Sequence, residues 1–170
     1  MSNVYNLLES KARKYIPYFI APLVKKVIAY PRYYAQIKKC RSQYNTYKDK
    51  YNQPVLFVAG LPKSGTTWFE KMLGSLPGFS DIMIPEAVSY EQTHHQSHTF
   101  EFPSDLFKRF KKALVVLKLH AHGSLHNFQV LEKSNIKYVV MYRDLRDVAV
   151  SHVFYVQRTT YHPGAAFTKI

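Results

Sequence analysis

Residues 60–68 read Gly-Leu-Pro-Lys-Ser-Gly-Thr-Thr-Trp, a glycine-bearing loop that holds one lysine and three hydroxyls. An apolar run, Val55–Ala59, precedes it, and Phe69–Leu76 follows with helical character. A strand–loop–helix turn aims free backbone N–H groups and a helix N-terminus at one point, and such a point binds phosphate or sulfate. The nucleoside-triphosphate loop needs Gly, four residues, then Gly-Lys-Ser/Thr. Gly60 and Gly65 have that spacing, but Thr66 stands where the lysine belongs, and the lysine is inside the loop at Lys63.

The run Leu61-Pro62-Lys63-Ser64-Gly65-Thr66-Thr67-Trp68 resembles the 5′-phosphosulfate loop of sulfotransferases that use 3′-phosphoadenosine 5′-phosphosulfate (PAPS). The resemblance implies that Lys63, Ser64, Gly65, Thr66 and Thr67 hold the 5′-phosphosulfate end of the donor, and that Lys63 stabilises charge on the leaving oxygen. It also implies that Trp68 lies against the adenine; the other reading of Trp68 is a core residue on the buried face of the first helix. Tyr138–Ser151 resembles the family's 3′-phosphate motif, a strand, an arginine, then a serine eight residues on. Arg143 and Ser151 are thereby expected to clasp the 3′-phosphate, the arginine as a fork and the serine as a lateral donor. Asp144, Leu145 and Arg146 replace the family's usual Asn, Pro and Lys, and Asp144 can still cap the helix. Read without the family, Arg143 pairs with Asp144 or Asp147. Leu117-Lys118-Leu119-His120 resembles the Lys-Thr-His segment, with a different third residue, and makes His120 the catalytic base. His122 competes with it, since residues i and i+2 of an extended chain face the same way.

Strands alternating with helices are needed to position these groups. The expected strands are Val55–Ala59, Leu114–Leu119 and Lys137–Tyr142, and the expected helices are Thr66–Leu76, Leu125–Lys133 and Asp144–Gln157. This order predicts an α/β fold with a central parallel sheet covered on both faces, a P-loop-like three-layer arrangement. All three motifs then fall at carboxyl ends of strands, where such sheets bind ligands. Residues 77–103, with Pro77, Gly78, Pro85 and Pro103, read as an irregular segment suited to acceptor contacts, and Glu86 as an exposed loop residue. Ser104 reads as the N-cap of a further helix. The resemblance covers residues 54–158. The family's later glycine-rich Arg-Lys-Gly segment has no counterpart after Arg158, so the sheet is expected to be incomplete on its C-terminal side, as an N-terminal portion or short form would be. The domain division expected is 1–53, a basic arm and linker, and 54–170, a sulfotransferase-like α/β domain.

The 170 residues suffice for one domain with a core, and a hydrophobic content of 46% excludes a disordered chain. The formal charge of +13 attracts anionic partners. Residues 1–53 hold 11 Lys/Arg against two acids, and the rest holds 13 against nine. Ile16, Phe19, Ile20, Leu23, Val24, Val27 and Ile28 follow a helical stripe, although Pro22 is a helix breaker. Two readings follow: residues 1–40 lie on an anionic membrane, or the helix packs on the domain with its lysines solvated. Residues 41–53 read as a linker. Cys40, the only cysteine, excludes an intramolecular disulfide and reads as a surface or half-buried thiol. No signal peptide is evident, and the chain is expected in the cytoplasm, with membrane association through the arm. The histidine clusters His94-His95-His98 and His120-His122-His126 raise a metal reading, which the resemblance opposes because sulfuryl transfer in this family needs no metal. The expected reaction is sulfuryl transfer from PAPS to a hydroxyl or amine on a small-molecule, lipid or carbohydrate acceptor. The rivals are a P-loop kinase or NTPase, disfavoured by the missing Gly-Lys-Ser/Thr ending, and a non-catalytic basic module for membranes or nucleic acid. Nucleic acid is not the expected partner.

Overall fold

The structure is a computed structural model and describes residues 21–94 and 99–158. Its elements are α1 (Ala21–Tyr47), a 3-10 turn (Lys48–Lys50), β1 (Val55–Gly60), α2 (Thr66–Gly74), β2 (Ser80–Ile82) and α3 (Pro85–His94). A second 3-10 turn (Leu106–Phe110) follows, then β3 (Val115–Leu119), α4 (Leu125–Lys133), β4 (Tyr138–Met141) and α5 (Leu145–Arg158). The four strands form one sheet in the order β2-β3-β1-β4, and every pairing is parallel.

The central strands are apolar on both faces because each face is covered. Val55 and Phe57 of β1, with Val115 and Leu117 of β3, join a cluster containing Val130 and Leu131 of α4. Val58 and Val116, one residue out of phase, join a cluster on the other face with Phe69 and Leu73 of α2. Side chains alternate across a strand, so a run such as Val115-Val116-Leu117 serves both layers at once. Phe57, Phe102 and Phe107 meet edge to face, with centroids 5.5 to 5.8 Å apart.

The N-terminal region is part of this packing. α1 lies against β2 and α3, and Tyr33, Ile37 and Cys40 are buried in the first cluster. Of the stripe read as facing either a membrane or the domain, Val27 is exposed and Ile28 half-buried; Ile16, Phe19 and Ile20 lie outside the described residues. Pro31 sits inside α1, which also runs past Pro22. Residues 41–47, expected as linker, are helical, because Tyr44 and Tyr47 pack on the second cluster. Cys40 is fully buried, not surface or half-buried, and burial raises its thiol pKa. No helix of the described residues is long and apolar enough to cross a membrane.

The segment 77–103 is less irregular than expected, since it supplies β2 and α3. Pro85 opens α3 rather than interrupting a helix; the first helical position needs no N–H donor. The helix expected from Ser104 is a short 3-10 turn preceded by Asp105, whose side chain caps nothing there; Asp105 is bonded to Arg109 instead. β4 is an edge strand, and its Tyr138, Val139 and Val140 are exposed, as are Val150, Val153 and Phe154 of α5.

Candidate functional site

The carboxyl ends of β3, β1 and β4 lie side by side and carry the three sequence motifs. Gly60 ends β1 in register with Met141 of β4. Its φ is +154°, and a Cβ there would stand 2.5 Å from the Met141 carbonyl oxygen and 2.9 Å from Thr66 Cγ2. Only glycine lets the loop leave the sheet this closely. Lys63 and Gly65 also have positive φ, +69° and +97°, so the loop curls back at two points. Ser64 closes the curl: its N–H and its Oγ both donate to the Leu61 carbonyl, at 3.2 and 2.7 Å. Gly65 is the N-cap of α2, and its carbonyl takes the first helical bond from Phe69 N–H at 3.1 Å. The N–H groups of Thr66, Thr67 and Trp68 therefore precede the intrahelical ladder and point out of the helix N-terminus. Backbone donors so arranged can serve as an anion cradle.

The loop is braced from β3. Lys118 Nζ donates to Thr67 Oγ1 at 3.1 Å and lies 3.8 Å from Glu70 Oε2. Burial raises the Glu70 pKa, and the Lys118 charge opposes that rise. Lys63 Nζ sits 4.5 Å from the ring centroid of Tyr155, a cation–π contact that links the loop to α5. Trp68 is 69% exposed at the mouth of the loop, so it is not a core residue. A large aromatic left open beside an anion cradle is free to stack on a planar group.

His120 follows the last residue of β3 and is half-buried. Its Nδ1 lies 2.6 Å from the Gly60 carbonyl oxygen. A carbonyl only accepts, so Nδ1 carries the hydrogen and Nε2 is left with a lone pair. Burial lowers the His120 pKa and the Lys118 charge lowers it further, while the bond to Gly60 opposes them. The ring is thereby oriented, and its lowered pKa favours the neutral form. His122 does not share this environment, contrary to the expectation that the two imidazoles face alike. The strand ends at Leu119, and Ala121 makes an isolated bridge to Phe100. His122 Nδ1 turns to Glu101 Oε1 at 2.8 Å, and Ser124 Oγ donates to the other carboxylate oxygen at 2.7 Å. Buried Asn127 fixes this corner by donating to the carbonyls of Phe100 and His122 and accepting from Phe102 N–H.

Arg143 leaves the end of β4 and is exposed; its Nε lies 3.4 Å from Asp147 Oδ2, the ion pair read from the residues alone. Asp144 caps α5, accepting from Arg146 N–H at 2.8 Å, and also holds the Arg146 guanidinium. Ser151 is half-buried on α5, which starts immediately after Arg143 and Asp144. Glu86 is not an exposed loop residue: it lies in the first turn of α3 and takes a hydrogen bond from Arg109 Nη1 at 2.5 Å. Among the described residues no three His, Cys, Asp or Glu side chains gather as a metal site. His94 stacks on Tyr90, and His126 bonds the Phe102 carbonyl; His95 and His98 lie outside the described residues.

The residues that motif reading did not single out are Glu70, Glu101 and Tyr155, together with Lys118 as a brace. Lys118 had one visible signal: a lysine inside the apolar run Val115–Leu119 must direct its charge to a partner. Tyr155 had none, because its contact joins residues 92 positions apart.

The sulfotransferase domain family matches this chain over residues 53–168. No curated protein and no solved structure matches it. The family match spans well over half of the chain and includes every strand, the loop and the helices around it, so the chain belongs to the sulfotransferase domain family.

Proposed function

We propose that this chain transfers a sulfuryl group from PAPS to a hydroxyl or amine of an acceptor. One observation carries the reading most directly. The hydrogen bond from His120 Nδ1 to Gly60 ties a neutral imidazole to the strand end from which the anion cradle springs. A base and a sulfate-binding loop within one hydrogen bond of each other are the two parts that sulfuryl transfer needs.

The cradle fits the donor. Gly60 keeps the loop clear of a Cβ, and the helix N-terminus offers the N–H groups of Thr66–Trp68 to the 5′-phosphosulfate end. The donor supplies a sulfuryl group on a phosphate leaving group. Nε2 of His120 takes the acceptor proton as the acceptor oxygen or nitrogen bonds to sulfur and the bond from sulfur to the phosphate oxygen breaks. Lys63 neutralises charge on that leaving oxygen. Its parked position over Tyr155 costs little to leave, since a cation–π contact at an exposed site contributes about 0.5–1 kcal/mol. Thr66 and Thr67 add hydroxyls, and Trp68 stacks on the adenine. Arg143 and Ser151 hold the 3′-phosphate and so select PAPS over ATP. An exposed i, i+4 pair such as Arg143–Asp147 is worth only a few tenths of a kcal/mol, and a phosphate displaces it readily. No metal has a part in this scheme. The acceptor class is a small molecule, a lipid or a carbohydrate.

Calorimetry with 3′,5′-adenosine bisphosphate and with ATP tests the donor assignment. Binding of the bisphosphate and not of ATP is expected, lost in Arg143→Ala. Transfer of labelled sulfate to a panel of acceptors tests the reaction. It is expected to fall at least about 100-fold in Lys63→Ala and in His120→Ala while both proteins unfold as cooperatively as the parent. Activity persisting in both variants overturns the proposal.

A further inference from the structure

We propose that the opposite end of the molecule is a second anion site, which seats the multiply phosphorylated headgroup of a membrane lipid. A cleft of about 480 Å³ lies between the C-terminal turns of α1 and residues 108–112, and Arg41, Lys108, Arg109, Lys111 and Lys112 line it with Tyr44. These residues precede β3, whereas the candidate active site follows it. Five strand residues at 3.3 Å each separate the two by about 16 Å. One small ligand cannot occupy both, so the cleft has its own ligand.

The charge in the cleft is not matched internally. Arg109 is held by Glu86 and by Asp105, at 2.5 and 3.1 Å. Arg41 donates to the Arg109 carbonyl, at 3.4 Å, which ties α1 to the turn without neutralising it, and it makes no salt bridge among the described residues. Lys108, Lys111 and Lys112 are exposed and form no salt bridge among the described residues. Arg41, Lys108, Lys111 and Lys112, the four of the five cations without a carboxylate partner among the described residues, surround one concavity and suit a ligand with several phosphates.

The helix that forms one wall shows where that ligand resides. Val27, Tyr30, Tyr34, Lys38, Arg41 and Asn45 recur at helical spacing, so they share one side of α1. All six are exposed; Val27 is 65% and Tyr34 64% exposed. An aliphatic residue and two tyrosines leading into a basic cleft match a surface that is apolar first and anionic beyond, as the edge of a bilayer is. A soluble polyanion would leave the Val27–Tyr34 half of the stripe without a purpose. The inference does not depend on the sulfuryl-transfer reading, since it uses no residue of that site.

Cosedimentation of the full chain with phosphatidylcholine vesicles doped with phosphatidylinositol bisphosphate tests the site. Binding is expected for doped vesicles and not for pure phosphatidylcholine. Replacing Lys108, Lys111 and Lys112 together by Ala should weaken it about 100-fold, since each basic residue near an anionic surface is worth roughly a factor of five. Val27→Ser with Tyr34→Ser should also weaken it, while leaving the affinity for soluble inositol trisphosphate unchanged. Both variants alter exposed side chains, and unchanged thermal unfolding accompanies the expected result. Three outcomes overturn the proposal: parent-like vesicle binding by the triple variant, equal binding to phosphatidylserine vesicles of matched charge, or a stripe variant with undiminished vesicle binding.

Discussion

His120 has a proton chemistry set by two neighbours of different kinds. The Gly60 carbonyl fixes which nitrogen carries the hydrogen, and burial, with Lys118 nearby, disfavours the cation. The pH dependence follows in sign. Transfer is expected to rise with pH as His120 deprotonates, with its acid-limb midpoint below the ordinary imidazole value of 6.5. A rate profile rising only above that value would contradict it. Stability moves the same way. The unfolded chain takes up the His120 proton at a higher pH than the folded one, so stability falls as pH drops from about 6.5 towards the folded pKa and then levels off. His120→Gln should remove that part of the slope in denaturant titrations at graded pH. For transfer itself, losing the base should lower the rate about 10²- to 10⁴-fold, read in the labelled-sulfate assay.

At the element scale, the loop between β1 and α2 depends on conformations that few side chains tolerate. Gly60→Ala would drive a Cβ into the Met141 carbonyl, a backbone atom that cannot turn aside without moving β4. The expected loss is about 3 kcal/mol, measured by denaturant unfolding, with donor affinity reduced as well. The start of α4 is a second test of element ends. Ser124 Oγ accepts from Asn127 N–H at 3.1 Å and donates to Glu101. Ser124→Ala should cost about 1 kcal/mol through the lost cap. It should also loosen His122 without altering the His120 bond to Gly60, which a histidine NMR titration would detect as a shift at His122 alone.

The whole molecule relies on its N-terminal helix more than the basic composition of that region suggests. Tyr33, Ile37 and Cys40 are buried among strands β1 and β3 and the aromatic cluster, and Tyr47 packs against Gly78. Ile37→Ala should therefore destabilise by about 3 kcal/mol, checked by denaturant unfolding, and deletion of residues 1–47 should abolish cooperative unfolding. β1 and β3 were legible as apolar runs because central parallel strands bury both faces, β4 as an apolar run although it lies exposed at the sheet edge, and α4 as a helical stretch whose Ser124 cap the structure added. β2 was not, because Ser80-Asp81-Ile82 is three residues long and two of them are polar; pairing with β3 makes it a strand. α3 was hidden in the stretch 77–103, read as irregular from its prolines and glycine, because proline's place at a helix start is visible only once the helix is known. The local chain by itself determined the loop, since Gly60, Lys63 and Gly65 meet backbone demands a few residues apart, and it determined the alternation of β1, β3 and β4 with the helices that follow them. Only the tertiary structure decided which imidazole is oriented, because Gly60 and Glu101 stand 60 and 21 residues from their histidines. The packing of α1 and the basic cleft behind it were decided there too. Both depend on which surfaces meet, and hydrophobic pattern within one segment records that a face is buried but not against what.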